Sequence, residues 1–379
     1  MKKISIIFLA FFLGLNVFLL FYKGIITARP ATAPLDKPFE LLASVFRLIK
    51  TEYIDEKDPT ETMEGALRGL VNSLDSLSGY LNPEMTTLYL ELQKDPVTFD
   101  MGLLLMKRYG FFPVVVGIRP NSPAQRADLR VGDYITEIDG KPTSSISLAE
   151  SRLQLKNKKK TSVTLKVLRA EQTRVITLHR ERLLDLPYSF QPLAGTKGWL
   201  QVYAFYPPLV KDLSQKVLPR LAKSDGPLII DLRFAQEGNL EEALKFLNQF
   251  LSAEKIGYFK GRLGEPHFLS CSQPAPLANL NLATWVSPAT QDLAELVAAA
   301  LQRIKKIQVI GQATPGLFAK REFFLLRDGA SFFLTTGVGY LSSDAPLWGK
   351  GVEPDIKLDL DVNDPTVYLQ KTLASQRRS

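Results

Sequence analysis

The chain has 379 residues, with 47 Lys+Arg, 39 Asp+Glu, two His, one Cys and 45% hydrophobic residues. That length and apolar content suit two or three domains, each with its own core, and exclude wholesale disorder. The single cysteine, Cys271, excludes an intrachain disulfide framework and any Cys-rich metal centre, and His179 and His267 are too few for a His-built metal site. No cofactor is expected.

The first element in chain order is Ile4–Tyr22, whose only clearly polar members are Ser5, Asn16 and Tyr22. Its length matches a membrane-spanning helix better than the shorter apolar core of a cleaved signal. Lys2 and Lys3 before it favour an exported body, while Lys23 and Arg29 on the far flank oppose that orientation. Cleavage after Ala31-Thr32-Ala33 is disfavoured by Pro34. The expectation is a single-pass inner-membrane protein with its body on the periplasmic side: an anchor over 1–24 and a Pro- and Thr-rich tether over 25–37.

A helical segment follows over 38–98. Leu42, Val45, Phe46 and Ile49 form one apolar stripe at helical spacing. Asp58-Pro59-Thr60-Glu61 is a helix start with an N-cap, a Pro at the first position and an acid at the third. Met63, Ala66, Leu67, Leu70, Val71 and Leu74 continue the pattern.

Over 99–182 the pattern turns to short strands and Gly/Pro turns. Val114–Ile118 is a strand, and Asn121-Ser122-Pro123 enters a short helix. Gly132–Ile138 runs into the Asp139-Gly140 hairpin turn, and Val163, Leu165 and Val167 alternate as a half-buried strand requires. Residues 99–182 hold 16 Lys+Arg against 8 Asp+Glu, a difference of +8 that equals the whole-chain charge. Lys156, Lys158, Lys159 and Lys160 are its densest cluster. Two readings stand: a solvated turn, or contact with anionic lipid or acidic tails. No aromatics are interleaved, so nucleic acid is not an expected partner.

Over 183–360 strands and helices alternate, the mark of an α/β layer fold. Pro227–Arg233 carries a buried strand and Leu240–Leu251 a helix. Thr284–Val286 is a strand, a helix begins near Thr290, and Gln308–Gly311 and Ser331–Thr336 are further strands. Residues 361–379 form a tail with a short helix.

The 99–182 module resembles a PDZ domain through Ser122-Pro123-Ala124, Gly132-Asp133 and Ile138-Asp139-Gly140. By that resemblance the loop that captures a peptide carboxylate falls at Gly102, Leu103, Leu104 and Leu105, with Leu104 where a second glycine is usual. The alternative is a PDZ fold that packs against its neighbour and binds no peptide. The whole order resembles the C-terminal processing peptidases, or tail-specific proteases. It rests on Gly65-Ala66-Leu67, Leu74–Leu81, Ile229–Arg233, Leu326–Gly329, Leu334–Thr336 and Gly351–Ile356. The resemblance implies an α+β multidomain protein with a peptidase core of the ClpP/crotonase type.

Active members of that family use a serine nucleophile and a lysine base. The resemblance puts Asp292 at the serine position, Leu317 at the lysine position, Arg321 at the supporting glutamine and Glu237 at the first of two oxyanion-site glycines. A negative charge there has the wrong sign for stabilising an oxyanion. The expected protein is therefore catalytically degenerate, a scaffold or regulator that binds the C-terminal tails of exported proteins, alone, as a homo-oligomer or with an active relative. The competing class is a serine-type peptidase with a displaced dyad of Ser287 or Thr290 with Lys320; an Asp292–Glu237 acid pair is a remoter one, and a purely structural envelope component a third. His179, His267 and Cys271 carry no catalytic expectation.

Overall fold

The structure, a computed structural model, describes residues 36–94, 99–157, 161–182, 186–343, 345–359 and 364–376. Among these no helix is long and apolar enough to cross a membrane. That finding corrects the expected transmembrane fold class and, with it, the single-pass placement; the stretch Ile4–Tyr22 itself lies outside the described residues, as do Lys158, Lys159 and Lys160.

The chain divides into two compact units, residues 1–63 and 64–379. In the first, the helix Asp36–Glu52 carries the expected stripe, and the helix Pro59–Asn72 begins where Asp58 Oδ1 accepts from Thr60 N at 2.7 Å.

The second unit contains two sheet systems that matter for function. The strands Leu103–Met106, Val114–Ile118, Tyr134–Ile138, Ser162–Arg169 and Gln172–His179 form an antiparallel sheet in that order. Leu105, Val115, Ile135, Leu165 and Val167 are buried beneath it, and the helix Leu148–Lys156 closes its core with Leu148 and Leu155. The strand Leu103–Met106 lies at the edge of this sheet, with its unpaired side toward that helix.

The peptidase-like core is built on a sheet ordered Tyr188–Gln191, Gly198–Val202, Leu228–Asp231, Leu282–Val286, Gln308–Gly311 and Ile356–Lys357. All neighbours after the first pair run parallel. Such strands are covered on both faces, which is why Leu228–Asp231 and Leu282–Val286 are buried throughout and read as unbroken apolar runs. The helix Leu293–Arg303 is buried from Leu293 to Leu301. It packs against this sheet and against a second, antiparallel sheet formed by Gly79–Leu81, Ser331–Leu341, Ala253–Gly261 and His267–Cys271, with Ala319–Leu325 paired to Ser331–Leu341. The run Ala298-Ala299-Ala300 lets that helix pass close between the layers. His267 is exposed at the start of the strand His267–Cys271, in which Leu269 and Cys271 are buried.

Three loops leave the carboxyl ends of adjacent parallel strands: Leu232–Asn239, Ser287–Asp292 and Gln312–Phe318. This end of an open α/β sheet is where ligands generally bind. Buried bonds tie the loops together. Arg233 pairs with Asp231 at 2.9 Å and lies 4.4 Å from the Tyr368 ring centroid and 5.0 Å from that of Trp285. Ser287 Oγ donates to Arg233 O at 2.7 Å, and Thr290 Oγ1 donates to Leu232 O at 2.8 Å.

Candidate functional site

Asp292 sits at the turn from strand Leu282–Val286 into helix Leu293–Arg303, with φ 55° and ψ −119°. A non-glycine residue with positive φ is strained and persists only where its surroundings fix it. A strained strand-to-helix elbow is the geometry that lifts a nucleophile out of a sheet. Here the elbow presents a carboxylate, and Asp292 Oδ2 accepts from Arg321 Nη2 at 2.8 Å. Burial pushes the Asp292 carboxyl up, and Arg321 opposes that rise. Asp292 and Arg321 are therefore held as an ion pair.

Glu295, three residues on, fixes the other side of the cleft. Its carboxylate accepts from Thr314 Oγ1 at 2.5 Å, Gly316 N at 2.6 Å, Leu317 N at 2.5 Å and Asp292 N at 3.2 Å. Burial raises its pKa to about 7, with Thr314, Leu317 and Gly316 working in the opposite direction. This clamp places Leu317 with its side chain buried among Leu77, Ala319 and Trp348. An apolar side chain there supplies no base.

Glu237-Gly238 forms a short parallel pairing with Ala204-Phe205. Gly238 has φ 155°, and a Cβ on it would meet the Phe205 Cβ at 2.6 Å, so that position accepts only glycine. Glu237 has no such limit, and its carboxylate forms an ion pair with Lys156, the last residue of the helix Leu148–Lys156. Burial opposes ionisation of Glu237, yet Lys156, with Arg119 and Arg152, holds its pKa down at about 2.

The edge strand meets the core at the same place. Leu103 and Leu105 point into the core of their own sheet, whereas Leu104 packs with Val116 against Tyr203, Phe234 and Ala289. That interface explains a leucine where a glycine was expected. Asp100 Oδ1 accepts from the amides of Met101 at 2.6 Å and Gly102 at 3.1 Å, so an internal carboxylate already occupies the start of the loop. Arg152 Nη2 bridges the two modules, donating to Leu105 O at 2.9 Å and Gln291 Oε1 at 2.7 Å.

The profile of peptidase family S41 matches residues 198–358, and that of the PDZ domain matches residues 114–169. The chain carries a peptidase S41 domain and a PDZ domain. A probable CtpA-like serine protease of Staphylococcus aureus strain N315 is 27% identical over 328 residues, covering 84% of this chain and 64% of that protein. The carboxy-terminal processing protease CtpA of Bacillus subtilis strain 168 is 24% identical over 330 residues, covering 86% of this chain and 70% of its own. The chain thus spans about two thirds of the length of these relatives. The photosystem II D1 C-terminal processing protease shares the fold, with a TM-score of 0.67 at 18% identity, covering 87% of this chain and 95% of that one.

Of the residues singled out in the sequence, Asp292, Arg321, Leu317 and Glu237 all line one region around the three loops. The substitute dyad is not assembled: Lys320 Nζ pairs with Glu322 at 2.6 Å, and the Ser287 and Thr290 hydroxyls donate to backbone carbonyls. Cys271 is buried and its thiol is pushed up to about 12 by burial, which leaves it inert. Arg152, Arg119 and the pairing of Lys156 were missed. The spacing of Arg152 and Lys156, one helical turn apart on one face, was the available signal; the partner of Lys156 lies 81 residues away in sequence.

Proposed function

We propose that this chain is a non-catalytic relative of the C-terminal processing peptidases that binds peptide tails through its PDZ domain and uses the peptidase core as a scaffold. The observation that carries this reading is the Asp292–Arg321 ion pair on the strained elbow, with Leu317 buried where a base would stand. A serine–lysine mechanism needs a hydroxyl activated by a neighbouring base. An elbow bearing a carboxylate held by a guanidinium supplies neither. Glu237 adds a negative charge beside the place where an oxyanion would form. The edge of Leu103–Met106 that pairs with no strand among the described residues, near the helix Leu148–Lys156, suits strand addition by an extended peptide.

The test is incubation of the full chain with proteins carrying unstructured apolar C-terminal tails, with an active family member in parallel, and measurement of intact masses. Unchanged masses beside cleavage by the active relative support the reading. Truncated products from this chain overturn it.

A further inference from the structure

A cavity of about 20 Å³, room for roughly one ordered water, lies between the PDZ edge strand and the peptidase core. Its apolar wall is Leu103, Leu104 and Leu155; its polar wall includes Arg119, Lys156 and Glu237. It lies beside the edge strand Leu103–Met106 and the C-terminal end of the helix Leu148–Lys156. Three buried donors beside it, Arg119 Nε, Arg152 Nε and Gln236 Nε2, have no hydrogen-bond partner among the described residues. Buried donors left unmade are costly, and a cluster of them calls for an acceptor-rich ligand. Two carboxylates line it: Asp100 Oδ2 accepts from Arg119 Nη1 at 3.2 Å, and Glu237 reaches across from the core to Lys156. Glu237 remains 35% exposed in its side chain, against 16% for Lys156, so its position is open to exchange from solvent.

We propose that Glu237 is an internal occupant of the PDZ groove: its carboxylate holds Lys156 as the terminal carboxylate of a bound tail would, and a tail enters by displacing it. This rests on the tail-binding reading above and gives that site its regulation. The loop amides of Met101 and Gly102 are committed to Asp100. Reception of a tail carboxylate therefore passes to the side-chain donors Lys156, Arg119, Arg152 and Gln236.

The experiment is fluorescence anisotropy on the full chain with a labelled peptide ending Ala-Leu-Val, as free acid and as C-terminal amide. Glu237→Gln keeps the size of the side chain and removes the competing charge. It is expected to tighten binding of the free acid about tenfold and to leave the amide unchanged. Lys156→Gln is expected to weaken the free acid and to abolish the gain from Glu237→Gln in the double variant. Wild-type binding that Glu237→Gln leaves unaltered, in a variant that still melts cooperatively, overturns the proposal and leaves the tail-binding reading standing. Absence of binding by wild type and all variants overturns both.

Discussion

The elbow at Asp292 and the groove at Lys156 are both lined with opposite charges, and they use them differently. At the elbow, Asp292 and Arg321 satisfy one another, and the Glu295 carboxylate accepts from Asp292 N and from Thr314, Gly316 and Leu317 of the adjacent loop. In the groove, Lys156 and Glu237 pair while three neighbouring donors stay idle. The first arrangement is closed and structural; the second is half-filled. The contrast separates a frame from an opening: at Asp292 the backbone holds a strained φ of 55° among satisfied partners.

The largest expected effect comes from Glu295→Ala. Four donors in a buried site lose their acceptor, which costs about 3–5 kcal/mol by urea unfolding; a loss under about 1 kcal/mol would break the contrast between the two sites. The same residue gives a pH test. Its folded pKa, raised to about 7, lies above the ordinary carboxyl value. Its contribution to stability is therefore fully present below about pH 4 and is lost as pH rises through 7. In Glu295→Gln that part of the pH dependence is expected to vanish.

Next in size is Leu317→Ala. The side chain is 8% exposed and packed among Leu77, Ala319 and Trp348, so truncation is expected to cost about 2–3 kcal/mol. A neutral result would mean that the base position is not filled by packing. Asp292→Ala removes a partly exposed ion pair and keeps the backbone strain, at about 1–2 kcal/mol. Asp292→Gly is expected to be about 1 kcal/mol less costly, because glycine adopts the positive φ without strain. The smallest effect belongs to Lys320→Ala. Its pair with Glu322 is about half exposed, so stability should stay within about 0.5 kcal/mol and tail binding should not change; a large loss would revive Lys320 as a functional residue.

Much of the frame was legible where local pattern decides structure. Pro227–Arg233 announced a strand buried on both faces, Asp58-Pro59 marked its helix start, and Asp139-Gly140 marked its hairpin. The positions that the family resemblance singles out, Asp292, Leu317, Arg321 and Glu237, were also legible as positions, since their spacing from neighbouring motifs is carried by the chain itself. What they touch was not. Arg321 meets Asp292 from a strand 29 residues away, and Lys156 meets Glu237 from another module. Surface-like lysines carry no sign of a long-range partner, so Lys156 was grouped with a solvated cluster. The strands Ala253–Gly261 and His267–Cys271 were also missed, because charges and glycines interrupt their alternation. The apolar stretch near the N-terminus shows the opposite hazard: composition alone supported a spanning helix that the described residues do not contain.

The most direct test pairs the wild-type chain with the variant Glu237→Gly/Asp292→Ser/Leu317→Lys/Arg321→Gln and follows the intact masses of tail-bearing proteins. Expected are unchanged masses with wild type and truncated products with the quadruple variant, because the elbow and the Glu295 clamp still hold the frame. Cleavage by the wild-type chain would contradict the central claim that the Asp292–Arg321 pair has replaced the catalytic dyad.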